Sequence, residues 1–116
     1  MSDKPLVWIG SARRDLRAFP SGARRRSGFQ LRKVQQGLDP DDWKPMTSVG
    51  PGVREIRIQT ELAHRVFYLA TFEEAVYVLH AFEKKTRKTP APEVTLARDR
   101  YRGLLKKRAE DAKKKK

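Results

Sequence analysis

A strongly apolar run that leads directly into a group of cations constrains this chain more than any other stretch. Residues 75–82 read Ala-Val-Tyr-Val-Leu-His-Ala-Phe, which predicts a buried central strand. Without a turn residue between them, the chain then continues into Lys84, Lys85, Arg87 and Lys88. A strand that carries cations from the core to the rim of a sheet holds them at fixed positions, and binding groups often lie at such junctions.

Positive charge is concentrated at the two ends of the sequence. The chain has 116 residues and a formal net charge of +13. Residues 1–38 contain nine Lys or Arg against two acidic residues, residues 39–83 contain four against eight, and residues 84–116 contain fourteen against four. Two basic ends around an acidic centre indicate a polyanionic partner. The length predicts one domain over residues 1–112, followed by a basic, disordered tail over 113–116.

Several classes of protein are disfavoured by what the sequence lacks. It contains no cysteine, so neither a disulfide nor thiolate chemistry is expected. Its two histidines, His64 and His80, lack the spacing of a zinc site, and we expect no metal and no cofactor. No apolar run approaches the ~20 residues of a membrane helix, and the N-terminus lacks a signal-peptide pattern. We therefore expect a soluble, cytoplasmic protein with no membrane contact.

Hydrophobic periodicity predicts an α+β fold in the order β-α-α-β-β-β-α, with a helical hairpin packed on a small, mostly antiparallel sheet. Ser11 and Ser21 are predicted helix N-caps, and Gly37 fits the left-handed position after the second helix. In the second strand, Arg54 shares a face with the isoleucines, while Arg57 lies on the opposite, polar face. The predicted strands are 6–9, 53–60, 64–71 and 75–82, the helices start at 12, directly after the Ser21 cap and at 93, and residues 39–52 are a predicted loop.

Four motifs in this order resemble the RelE/HigB toxin superfamily, and in particular the HigB-like branch that is common in phage and prophage genomes. The resemblance covers roughly residues 4–105. The motifs are Trp43-Lys-Pro45, Arg54-Glu-Ile-Arg57, Arg65-Val-Phe-Tyr68 and Leu79-His-Ala-Phe-Glu-Lys-Lys-Thr86.

The resemblance implies a RelE-like fold and the toxin of a type II toxin–antitoxin system. Such a toxin is a ribosome-dependent mRNA endoribonuclease that inhibits translation. It needs no metal or cofactor, because the ribose 2′-OH attacks the adjacent phosphate. The implied partners are the ribosome, its mRNA and a cognate antitoxin, commonly a helix-turn-helix protein from the adjacent gene, which forms a hetero-oligomer with the toxin.

The resemblance also implies catalytic positions. Arg57 and Arg65 match basic residues of neighbouring sheet strands, and Lys85 matches the catalytic arginine that follows the last strand. His80 is a further candidate, because histidine has the intrinsic pKa for acid–base work. The predicted RNA- or phosphate-binding residues are Lys84, Arg87, Lys88, Arg54, Phe82, Arg24, Arg25, Arg26, Arg32 and Lys33.

Alternative interpretations remain open at each level. Arg57 could instead pair with Glu55 or Glu61 on a solvated strand, and His80 and Phe82 could be interior residues. Glu55 stands where many relatives place a lysine, and the Tyr or His-Tyr pair that some relatives carry near the C-terminus is missing, so the general acid and base are open. The alternative functions are a non-catalytic toxin on the same fold, such as one directed at gyrase, and a basic RNA-binding protein without toxicity.

Overall fold

The computed structural model describes residues 3–114. Within this part of the chain, five strands form one sheet and three helices pack against it. The elements are β1 (Leu6–Trp8), α1 (Ala12–Arg17), α2 (Ser21–Gln35), β2 (Trp43–Pro45), β3 (Val53–Gln59), β4 (Ala63–Leu69), β5 (Val76–Glu83) and α3 (Ala91–Lys114).

The strands lie in the order β1-β5-β4-β3-β2. Only the β1–β5 pair in this sheet is parallel, and the other three pairs are antiparallel. The predicted α+β class and mostly antiparallel sheet are therefore confirmed. The prediction of a loop throughout 39–52 missed β2, where Trp43 pairs opposite Ile56 and Pro45 opposite Arg54. Three residues are too few for period-2 alternation to stand out in a sequence.

Each face of the sheet carries its own apolar core. The helical hairpin of α1 and α2 covers one face, as predicted, and α3 covers the other. The core on the hairpin side includes Leu16, Leu31, Val34, Ile56, Ile58 and Tyr68. The core on the α3 side includes Phe67, Leu69, Leu79, Phe82, Tyr101 and Leu104. Because both faces are covered, β4 and β5 are mostly apolar and mostly buried, as expected for strands covered on both sides.

The end of α2 follows the sequence closely, whereas its start does not. Gly37 has a φ of 86°, and the amides of Gly37 and Leu38 bond back to the carbonyls of Val34 and Lys33 at 3.0 and 2.9 Å. This is a Schellman motif, and it confirms Gly37 as the residue that terminates the helix. The predicted N-cap role of Ser21 is wrong, because Ser21 is the first helical residue and Pro20 occupies the cap position.

The last helix, α3, is longer than its apolar pattern indicates. It starts at Ala91 and continues to Lys114, so Lys113 and Lys114 are helical although they were predicted to belong to the tail. The remaining tail residues, 115 and 116, lie outside the described residues. No helix within residues 3–114 is long and apolar enough to span a membrane.

Candidate functional site

Two arginines stand side by side on the α3 face of the sheet. Arg57 of β3 pairs directly opposite Arg65 of β4. Residues directly opposite each other in an antiparallel pair project from the same face, and like charges there repel each other. The side chain of Arg57 is 38% exposed, whereas that of Arg65 is 11% exposed. The resemblance implied basic residues at these positions on neighbouring strands, and the register makes the two arginines immediate neighbours.

A buried carboxylate compensates this repulsion. Glu55 lies on β3 opposite Lys44 of β2 and is 0% exposed. Lys44 Nζ, Arg57 Nε and Arg65 Nε each lie 3.7 Å from Glu55 Oε1. These distances are too long for hydrogen bonds, so the attraction is Coulombic.

A fourth cation, Lys84, joins these residues from the end of β5. Its backbone amide donates a hydrogen bond of 2.7 Å to the carbonyl of Ala63, which continues the β4–β5 ladder past the last strand residue. Burial lowers the pKa of Lys84, and the positive charges of Arg65, Lys44 and Arg57 lower it further, whereas Glu55 raises it. These shared electrostatic effects define the basic cluster as Lys44, Arg57, Arg65 and Lys84 around Glu55.

An aromatic group borders the basic cluster on the core side. Phe82 of β5 pairs opposite Arg65 and is 7% exposed. Its ring packs edge-on against Phe67, with 5.2 Å between the ring centroids. Phe82 is thus a buried neighbour of the cluster, and its packing holds the stretch of β5 that leads into Lys84.

His80 lies one step deeper in the sheet than Phe82. It pairs opposite Phe67 and is 4% exposed. Its ring stacks on Phe82 with a centroid separation of 5.0 Å, and its Nε2 lies 3.3 Å from the carboxylate of Glu93 in α3. Burial lowers the pKa of His80, and the hydrogen bond to Glu93 offsets part of that effect. The structure therefore places His80 in the interior beneath Phe82, and not among the cations.

The remaining basic residues after β5 are exposed. Lys85, Arg87 and Lys88 lie in the segment between β5 and α3, where the Thr86 hydroxyl donates to the Lys88 carbonyl at 2.6 Å. Lys84 and Lys85 are adjacent in sequence, yet only Lys84 is partly buried. This segment flanks the basic cluster and adds charge to its rim.

Arg54 belongs to the opposite face of the sheet. Its guanidinium donates to the Asp39 carboxylate at 2.9 Å and lies 4.0 Å from the centroid of the Trp43 ring. It pairs opposite Tyr68 in the register, on the side of the helical hairpin. Arg54 is thus separated from Arg57 and Arg65 by the thickness of the sheet.

The basic residues of α2 form a separate surface. Arg24, Arg25, Arg26 and Arg32 are exposed, and Lys33 is partly exposed. Some of this charge is already engaged. Arg32 pairs with Asp3 at 2.7 Å, Lys33 pairs with Asp41, and Arg26 donates to the Gln59 carbonyl. None of these contacts is with a member of the basic cluster, so the α2 residues can extend the positive surface but are not part of the cluster.

Two members of the basic cluster were not predicted as site residues. Lys44 lies in the stretch predicted to be a loop, and the only expectation attached to Glu55 is its difference from related sequences. The alternation in Trp43-Lys44-Pro45 was the available signal, because it places Lys44 on the face opposite its two neighbours. Among residues 3–114, no three or more His, Cys, Asp and Glu side chains are grouped to hold a metal ion.

Fold and cluster together define a class of protein: a small α+β domain that presents several cations at one end of a sheet face. Fixed cations of this kind can bind phosphate oxygens and stabilise negative charge that develops on them.

Residues 14–102 match the family model described as "Phage derived protein Gp49-like (DUF891)". The chain belongs to this family, which is associated with RelE/HigB-like toxins. A search of the curated proteins found no match.

Proposed function

We propose that this chain is a RelE/HigB-type toxin that cuts mRNA on the ribosome and thereby stops translation. The observation that carries the proposal is the basic cluster, in which Arg57 and Arg65 stand directly opposite each other and Lys84 lies beside them. Membership of a phage-derived family associated with such toxins supports the same function.

The proposed reaction needs positive charge more than any other chemical group. The 2′-oxygen forms a bond to phosphorus, the bond from phosphorus to the 5′-oxygen breaks, and negative charge builds on the phosphorane oxygens in between. Arg57 and Arg65 can stabilise that charge with fixed guanidinium donors. Their pairing across β3 and β4 sets the spacing between the two donors, so little reorganisation is needed during the reaction.

Proton transfer is assigned to Lys84 in this proposal. The attacking 2′-OH must lose a proton, and arginine cannot accept it at neutral pH because its pKa exceeds ~12. Burial and the neighbouring cations lower the pKa of Lys84, so a larger fraction of its amine is neutral and able to accept a proton. The leaving 5′-oxygen takes up a proton from solvent. Lys85, the residue that the resemblance singles out, is exposed and would act at the rim.

The antitoxin in this proposal covers positive charge. An acidic or amphipathic segment of the partner would lie across the basic cluster or against the helices, because complementary charge guides association and masks the site. Co-expression with the adjacent open reading frame should yield a stable complex that co-purifies. Elution of the chain alone, combined with harmless expression, would contradict this part of the proposal.

Induction of the chain without its partner tests the central claim. Protein synthesis should stop, and sequencing of mRNA 5′ ends should show new ends within translated codons. The matched control is Arg65→Ala, which removes a cation of the cluster and should yield few new ends at equal expression. Continued protein synthesis at the normal rate would refute the proposal. Growth arrest with intact mRNA would instead favour a non-catalytic toxin with another target.

A further inference from the structure

Glu55 is an unusual residue to find inside a site for an anion. It is 0% exposed, and neither of its carboxylate oxygens has a hydrogen-bond partner among the described residues. Burial of a charge is unfavourable unless the charge is paired, and hydrogen bonds normally complete such pairing. Here the three cations that lie 3.7 Å from Oε1 supply only Coulombic compensation.

In this geometry, some hydrogen-bond donors of the cations have no partner among the described residues. Arg57 and Arg65 approach Glu55 through Nε at a non-bonding distance. The other described contacts of these guanidinium groups are to Asp42 at 3.9 Å from Arg57 Nη1 and to the His64 carbonyl at 2.9 Å from Arg65 Nη1. Glu55 thus balances the charge of the arginines without accepting their protons. Arg65 Nε is buried and has no hydrogen-bond partner, so a phosphate that approaches from the exposed side would receive hydrogen bonds from the terminal nitrogens of the guanidinium groups.

We propose that Glu55 is the internal counter-anion of the RNA site. It is a positioning residue. While the site is empty, its negative charge holds Lys44, Arg57 and Arg65 together, and when RNA is bound, the same charge repels the RNA phosphate. This repulsion keeps the affinity for RNA moderate. The inference rests on the proposed RNA-binding function of this face, although it does not depend on cleavage.

The sign of the change in affinity distinguishes this role from a purely structural one. Glu55→Gln keeps the shape of the side chain and removes its charge. If Glu55 opposes the phosphate, the variant should bind RNA about tenfold more tightly, which corresponds to ~1.4 kcal/mol. The salt dependence should also steepen by roughly 0.7 in the slope of log affinity against log salt, because one more phosphate is neutralised. If Glu55 only supports the fold around the arginines, its loss should weaken binding.

The probe is a fluorescent 2′-O-methyl RNA oligonucleotide, which lacks the attacking hydroxyl, and the measurement is fluorescence anisotropy at several salt concentrations. Glu110→Gln is the matched control, because it makes the same chemical change at an exposed position of α3 and should alter affinity little. Glu55→Met provides a second test if the amide disturbs folding, since an apolar side chain of similar size suits a buried position.

Tighter binding by Glu55→Gln or Glu55→Met, together with unchanged binding by Glu110→Gln, supports the counter-anion role. Equal or weaker binding by folded Glu55 variants, or equal tightening by Glu110→Gln, overturns it and leaves the proposed function standing. Failure of the unmodified protein to bind the oligonucleotide in a salt-dependent manner overturns both this inference and the proposed RNA site.

Discussion

Replacement of Lys84 by Met should lower the cleavage rate far more than replacement of its neighbour Lys85. Methionine keeps most of the apolar stem and removes the amine. The amine of Lys84 is partly buried and lies within the field of Arg65, Lys44 and Arg57, which together lower its pKa. Loss of a general base costs about 10²–10⁴ in rate, and we expect Lys84→Met to fall in this range. Lys85 is exposed, so Lys85→Met should change the rate less than about fivefold, since an exposed charge contributes up to ~1 kcal/mol.

The assay is single-turnover cleavage of mRNA on a programmed ribosome at saturating protein, which separates the chemical step from binding. A pH series adds a second readout. Only the neutral amine accepts a proton, so the rate should rise with pH and level off below the ordinary lysine pKa of 10.5, because the pKa of Lys84 is lowered. Lys84→Met should lose this rise, and Lys85→Met should retain it.

The outcome that refutes the reasoning is equally definite. If Lys85→Met abolishes cleavage while Lys84→Met cleaves at the parental rate, the position inferred from the family resemblance is correct. The assignment from burial and neighbouring charge is then wrong. If both variants cleave at the parental rate, neither lysine transfers the proton.

Three further predictions concern the rest of the site and the fold. Arg65→Ala should reduce the single-turnover rate about 10²–10³-fold, which corresponds to the loss of a transition-state donor worth ~3–4 kcal/mol. Arg57→Ala should reduce the same rate by about 10–10²-fold, because Arg57 is more exposed than Arg65. His80→Ala should destabilise the fold by about 2–4 kcal/mol in thermal or chemical unfolding, and its cleavage rate at saturation should stay near the parental rate, because the side chain is buried away from the basic cluster. Unchanged stability with lost cleavage would mark His80 as a catalyst. Hydrogen bonds from Arg108 and Tyr77 lower the pKa of Glu74 from 4.5 to about 2. This carboxylate therefore contributes stability above pH 4.5 that is lost as the pH falls towards 2, and the difference in Tm between the unmodified protein and Glu74→Gln should vanish over that interval.

Most of the fold could be predicted from the sequence, because the sequence patterns that determine it are local. The apolar run over 75–82 and the alternation in 53–60 predicted their strands, and Gly37 marked the end of a helix by its need for positive φ. The short strand β2 was missed, because its stability comes from pairing with β3 and not from its own three residues. The cap of α2 was misplaced by one residue, because Pro20 occupies the cap position although its side chain cannot accept a capping hydrogen bond.

The site was harder to predict from the sequence than the fold, because the strand register and the burial of single residues determine which side chains form it. The predicted strands place Arg57 and Arg65 on neighbouring strands, but only the pairing of β3 with β4 shows that the two residues are direct neighbours. Periodicity could not show that Lys84, and not Lys85, is partly buried beside them, since both residues follow the last strand. Nor could it show that Glu55 is fully buried, because a glutamate on a polar strand face is ordinarily solvated.

The position of β5 has a consequence for when the protein becomes active during synthesis. β5 lies between β1 and β4, so the sheet cannot be completed until the chain has been synthesised past residue 83. A nascent chain that ends before β5 holds β1 and β4 without the strand that joins them, and Lys84 is still absent. For a protein proposed to act on ribosomes, this topology delays activity until β5 and Lys84 have been synthesised and have emerged, because domains complete their folding only once the pairing residues have emerged. We expect a chain ending at Ala75 to lack the cooperative unfolding transition of the full protein in circular dichroism, and a cooperative transition in that fragment would contradict this view.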